Sequence, residues 1–162
     1  MPFKVIVALL FFCVPVSLLA QNFQIAFGGL QQDTSQPVQV TSDNLSLNQK
    51  DGSAVFDGNV LIVQGEMRLS APSVSVFYNQ DNQGISRMIA TGRVLLVKSE
   101  DAAEADTAEY DVDAGTIVMS GNVLLSQGVN TLASDKMTVD LESGAAQMHG
   151  RVKTIMRSED DN

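Results

Sequence analysis

Between Val38 and Arg157 apolar and polar residues alternate in short runs, and Gly, Asn or Asp interrupts them every six to ten residues. A period of two places successive side chains on opposite faces of a strand, so the pattern predicts many short antiparallel strands and no helix. The runs also repeat. Gly58-Asn59-Val60 returns as Gly92-Arg93-Val94, Gly121-Asn122-Val123 and Gly150-Arg151-Val152. In each unit a corner residue (Asp43, Pro72, Asp106, Asp135) leads into alternating apolar residues. A turn glycine (Gly52, Gly84, Gly115, Gly144), a short strand and the Gly-x-Val element follow. The second unit is longer through the polar residues 79–83, at a hairpin tip where extra length leaves the strands undisturbed. Repeats of this size are stacked units whose neighbours complete one core, so none is stable alone. The corners are expected to stop the ladder and turn the chain, a structural role.

Counting in twos from each repeated glycine assigns an inward face: Ala54, Phe56, Val60 and Ile62; Met88, Ala90, Val94 and Leu96; Ile117, Met119, Val123 and Leu125; Ala146, Met148, Val152 and Thr154. The corner strands contribute Leu45 and Leu47, Val74 and Val76, Ala108 and Tyr110, Met137 and Val139 at equivalent places. The opposite parity is partly apolar too (Val55, Leu61, Val63, Ile89, Leu95, Val97, Val118, Leu124), more than a two-layer fold with one wet face needs. Stacked units also leave an unpaired strand at each extremity. The expected edges are Val38–Leu47, with Val40, Leu45 and Leu47, and Gly150–Met156, with Val152 and Thr154.

With 162 residues, 44% of them apolar and 18% charged, the chain has the length and composition of one folded domain. Lys4, an apolar run from Val5 to Leu19, Ala20 and the polar Gln21 have the layout of a secretory signal peptide cleaved after Ala20. The alternative is a retained anchor, but the run is broken by Pro15 and falls short of the roughly 20 residues a spanning helix needs. Cys13 follows the bulky Phe12, which argues against lipidation, and cleavage leaves a chain without cysteine. The expected organisation is a signal segment over 1–20, a flexible lead-in over 21–37, the β domain over 38–157 and an acidic tail over 158–162.

Ten basic against nineteen acidic residues exclude nucleic acid as a natural partner. The acids between Glu100 and Asp113 read as a solvated edge, without the spacing of an EF-hand. His149 stands alone and cannot build a metal cluster. No carboxylate is paired with Ser, Cys or His at a spacing that suggests acid–base or nucleophilic work, and no glycine-rich phosphate loop precedes a helix. The expectation is a non-enzyme without metal or cofactor.

Met88, Met119, Met137 and Met148 lie among branched residues on the inward face. Flexible thioethers adapt to irregular apolar shapes, which suits acyl chains, but they serve equally as core filler. The residues alone leave both readings open.

The segment Gln36-Pro37-Val38-Gln39-Val40-Thr41-Ser42-Asp43, the recurring Gly-Asn-Val before an apolar strand, and Asp135-Lys136-Met137-Thr138-Val139 resemble the LptA/OstA family of periplasmic lipopolysaccharide-transport proteins over about residues 33–157. That resemblance implies a twisted, partly open antiparallel β-jelly roll whose apolar groove shields lipid A acyl chains while the headgroup stays outside. It also implies head-to-tail association with itself and with equivalent domains of inner- and outer-membrane partners, with transport driven by an ATPase elsewhere. The lipid-binding face would then comprise Phe56, Val60, Ile62, Met88, Val94, Leu96, Ile117, Met119, Val123, Leu125, Met137 and Met148. The rival is a repeat-built interaction module with a dry core, or a related membrane-anchored or outer-membrane-fused transport domain.

Overall fold

Strands form where the alternation is cleanest. The computed structural model describes residues 25–26, 33–48, 50, 52–81 and 84–156; the expected signal segment with Cys13, Arg157 and the acidic tail lie outside the described residues. The strands are β1 (Ile25–Ala26), β2 (Gln39–Thr41), β3 (Asn44–Asn48), β4 (Ser53–Gln64), β5 (Met67–Tyr78), β6 (Ile85–Lys98), β7 (Asp101–Asp111), β8 (Thr116–Gln127), β9 (Asn130–Asp140), β10 (Ala145–His149) and β11 (Lys153–Ile155). They make one antiparallel sheet in the order β1-β10-β9-β8-β7-β6-β5-β4-β2, with β3 also on β4 and β11 also on β9. No helix occurs among the described residues.

Of the four corners Asp43 does fall in a break, between β2 and β3, but Pro72, Asp106 and Asp135 do not stop the ladder as the sequence suggested. Strands β4 to β9 run straight through them and are bent there. Gly58 and Asn59 of β4 together face the single residue Pro72 of β5, Gly92 and Arg93 of β6 face Asp106, and Gly121 and Asn122 of β8 face Asp135. Two residues against one is a β-bulge, which bends the strand and keeps the pairing on either side. Both members of each pair have positive φ, 80° and 47° at Gly58-Asn59 and 81° and 49° at Gly121-Asn122. Asparagine tolerates that region better than most side chains, and glycine adopts it without strain.

The bends divide the sheet into two leaves. One contains residues 53–57, 73–77, 87–91, 107–111, 116–120 and 136–140; the other contains 60–64, 67–71, 94–98, 101–105, 123–127 and 130–134. Their inner faces meet, since Ile62, Met67 and Leu69 of the second leaf line the same small space as Met88, Ala90, Ala108, Tyr110 and Ile117 of the first. Buried residues of both leaves make one core cluster, and each fully buried Val, Leu, Ile or Met contributes roughly 1.5–3 kcal/mol. The result is a folded-over sheet with a hinge along the bulges and a mouth along the opposite rim. The terminal strands do not pair with each other, so the sheet stays open rather than closing into a barrel.

Candidate functional site

The inward parity read from the sequence coincides with the core. Val60, Ile62, Met88, Val94, Leu96, Ile117, Met119, Val123, Leu125 and Met137 are buried, and Phe56 and Met148, near the two ends of the sheet, are half-buried. The rows are continuous across strands. Leu45 pairs with Phe56, Phe56 with Val74, Val74 with Ala90, Ala90 with Ala108, Ala108 with Met119, and Met119 with Met137.

Those rows lose their cover at the ends. Leu45 and Leu47, in register with buried or half-buried neighbours on β4, are 52% and 71% exposed. At the other extremity Val152, Ile155 and Met156 are exposed, and Thr154 pairs with Leu132 on the outermost strand of the second leaf. On the first leaf the corresponding edge is occupied by the chain itself, because β1 pairs with β10 through Ile25↔Ala146 and Ala26↔Ala145. Val40 is half-buried and packs against the core.

The space between the leaves that Ile62, Met67, Leu69, Met88 and Tyr110 share is about 10 Å³, close to what one water molecule occupies. The interior is apolar but packed, so anything larger must part the leaves. Wider concavities lie outside the core, at the corners. One of about 520 Å³ is lined by Asn59, Ser70, Pro72 and Arg93, and another of about 460 Å³ by Asn122, Asp135 and Arg151. The outward apolar residues Leu61, Val63, Leu95 and Val97 are half-buried on the outer surface of the second leaf, with Leu124 more exposed among them.

Side-chain pairs brace the hinge. Asn59 Nδ2 donates to Asp43 Oδ2 at 2.8 Å and Asn122 Nδ2 to Asp106 Oδ2 at 2.9 Å, while Arg151 donates to both oxygens of Asp135, the shortest bond being 2.6 Å. The Arg151 hydrogen bonds and charge hold the Asp135 carboxyl below its ordinary value. These contacts are structural and assign the corner aspartates no catalytic part.

One polar arrangement inside the mouth was not anticipated. Gln64, at the rim of the second leaf, is 1% exposed, and Tyr110, on the first leaf, is 3% exposed. The Tyr110 hydroxyl donates to Gln64 Oε1 at 3.0 Å. Gln64 Nε2 in turn donates to the carbonyl oxygens of Thr34 and Gln36, at 3.2 and 3.0 Å. Burial pushes the Tyr110 phenol up, which keeps the donor protonated. A polar residue in phase with Val60 and Ile62 was the signal that could have revealed it. Among the described residues no three His, Cys, Asp or Glu side chains converge where they could hold a metal ion.

An open antiparallel β-jelly roll with an apolar interior is the class this geometry defines. Residues 39–145 match the family model of the LptA/(LptD N-terminal domain) LPS transport protein, and the chain belongs to that family. An uncharacterised Rhizobium meliloti protein is 32% identical over 108 residues, which are 62% of this chain and 58% of that protein. The lipopolysaccharide export system protein LptH of Pseudomonas aeruginosa is 29% identical over 98 residues, 56% of this chain and 55% of that protein. The matches thus span little more than half the length of these relatives. The crystal structure of LptH, described as the LptA-homologous periplasmic component of the lipopolysaccharide transport device, superposes with a TM-score of 0.70. It does so at 19% identity over 78% of this chain and 99% of that chain, which is a likeness of fold.

Proposed function

We propose that this chain is a periplasmic lipopolysaccharide-binding bridge that shelters lipid A acyl chains between its leaves and hands lipopolysaccharide from inner-membrane to outer-membrane partners with domains of the same fold. The observation that carries this reading is the run of inner-face rows into solvent at Leu45 and Leu47, where a second apolar interior can continue the first. Family membership supplies the cargo class, and the LptH likeness supports the compartment. The twelve inward residues named from the sequence, from Phe56 to Met148, would hold the chains. At ~0.8 kcal/mol per buried CH₂ an acyl chain gains enough to leave water, while parting a packed core reduces the net and keeps binding reversible.

The near-closed interior favours a second reading, a packed interaction module without a ligand. Purified protein incubated with lipopolysaccharide, re-isolated by size exclusion and analysed for fatty acids by mass spectrometry separates the two. Stoichiometric acyl chains with the protein support transport, and their absence at saturating lipopolysaccharide rejects it.

A further inference from the structure

The mouth opposite the hinge is crossed by a described stretch of chain. Asp33 folds residues 33–36 into a turn: its Oδ1 accepts from the Ser35 amide at 3.0 Å, and its Oδ2 accepts from Gln36 Nε2 at 3.2 Å. On one side the turn meets the rim of the first leaf. Asp33 and Thr34 line a cleft with Val112, Asp113, Ala114, Gly115 and Glu142, and a Cβ built on Gly115 would lie 3.9 Å from Thr34 Cγ2. On the other side its carbonyls rest on Gln64 of the second leaf, and the chain continues into β2. Beneath the turn, the Tyr110–Gln64 hydrogen bond joins the leaves directly.

We infer that Tyr110, Gln64 and the turn of residues 33–36 form a clasp that holds the mouth shut and must release before an acyl chain passes between the leaves. The inference rests on the lipid-carrying reading above and adds the route and its gate. Three features point this way. The inner rows are buried against one another and the cavity beneath Tyr110 holds only about 10 Å³. The hinge is fixed by paired bulges, so the leaves part most readily at the rim. And the clasp is the buried polar contact that crosses between the leaves, whereas the buried Asp101 at the same rim bonds within its own leaf, to Gln127; a hydrogen bond of this kind closes the leaves at one geometry and gives little resistance once broken.

Tyr110→Phe removes one hydroxyl and leaves the ring in place; Gln64→Leu removes the connection to both Tyr110 and the turn. Tyr110→Phe is expected to speed uptake of purified lipopolysaccharide on the order of fivefold, the factor implied by losing one buried hydrogen bond, and Gln64→Leu, which loses three, to speed it by more. Hydrogen exchange at amides 62–64 and 108–110 should rise in parallel. Thr107→Ala, which loses only an outer-face bond to the Ser120 carbonyl, should change neither. As a second arm, Thr34→Cys with Gly115→Cys in a Cys13→Ser chain ties the turn to the first leaf. Oxidation should slow uptake at least tenfold and reduction restore it in the same sample, which removes misfolding as an explanation.

Uptake and exchange at wild-type values in both clasp variants, with no effect of the disulfide, would overturn the clasp and indicate admission through the open ends. If wild-type protein takes up no lipopolysaccharide, the transport reading fails. The exchange data then decide alone: unchanged exchange at the mouth overturns the clasp, and faster exchange establishes it as a closure of the fold.

Discussion

Asn122 donates from Nδ2 to Asp106 Oδ2 at 2.9 Å across the bulge that folds β8 against β7, and the same pairing joins Asn59 to Asp43. The glycine before each asparagine lies under the aspartate. A Cβ on Gly121, at φ 81°, would collide with Asp106 Oδ2. Gly121→Ala should therefore cost at least about 2 kcal/mol, from strain and overlap together. Gly52→Ala, at φ 64° with open space around it, should cost about 1 kcal/mol from backbone strain alone. Urea unfolding of the two variants measures the difference, and equal losses would refute the account of the bulge.

Acid should loosen the last corner. Asp135 is held below the ordinary carboxylate value first by its hydrogen bonds from Arg151 and further by the Arg151 charge. A carboxyl whose folded value is depressed stabilises the fold above its unfolded value and loses that contribution as pH falls through the folded value. The wild type should lose stability as pH drops below about 4. Asp135→Asn should start less stable at pH 7 and fall by less over the same range, as followed by urea midpoints between pH 7 and 3. Parallel curves would show that the pair has no thermodynamic weight. Asp33 and Asp140 are depressed as well, by hydrogen bonds from Ser35 and Ser143 respectively, so the variant should retain part of the slope.

The parity of the strands was legible because a period of two leaves no other way to bury Val60, Ile62, Met119 and Leu125 together. The corners were located correctly, but Pro72, Asp106 and Asp135 were read as strand ends, which only Asp43 is. Their actual role depends on Asn59, Arg93 and Asn122 adopting positive φ, a state that composition does not reveal. Phe56 and Met148 belong to the inward rows but are only half-buried, because strand position within the sheet, not parity, sets how much cover a residue receives. Tyr110 was placed on the inward face, but its bond to Gln64 was not foreseen because it joins opposite leaves, and alternation reports which face a residue occupies without saying what lies across the core.

Face assignment carries a direct consequence for lipid. Leu96 is buried between the leaves and its neighbour Leu95 is half-buried on the outer surface. Leu96→Ala should cost about 2–5 kcal/mol and Leu95→Ala under about 1.5 kcal/mol. With Asp at each position, Leu96→Asp should abolish lipopolysaccharide retention, since a charge there faces acyl chains without a partner. Leu95→Asp should retain most of it. Circular dichroism checks the fold of both, and equal loss of lipid from two folded variants would contradict the inward assignment.

The uncovered ends make the final prediction. Leu45 and Leu47 on β3 continue the inner rows into solvent, and Val152, Ile155 and Met156 lie exposed at the opposite extremity. Unpaired strand edges recruit other strands unless blocked. Joining the β2–β3 end of one molecule to the β11 end of the next covers both apolar patches and aligns the interiors. Such a contact is heterologous, so assembly should lengthen with concentration instead of stopping at a two-fold dimer. β1 already occupies the β10 edge of the first leaf, so the joint should form mainly through the second leaf, or else displace β1. Leu47→Asp should lower the mean mass seen by light scattering at a fixed concentration. In a Cys13→Ser chain, cysteines at Val40 and Thr154, both on the second leaf, should crosslink between molecules in a ladder. A two-fold dimer of fixed size, joined through the hairpin of residues 79–84, would refute this mode of assembly.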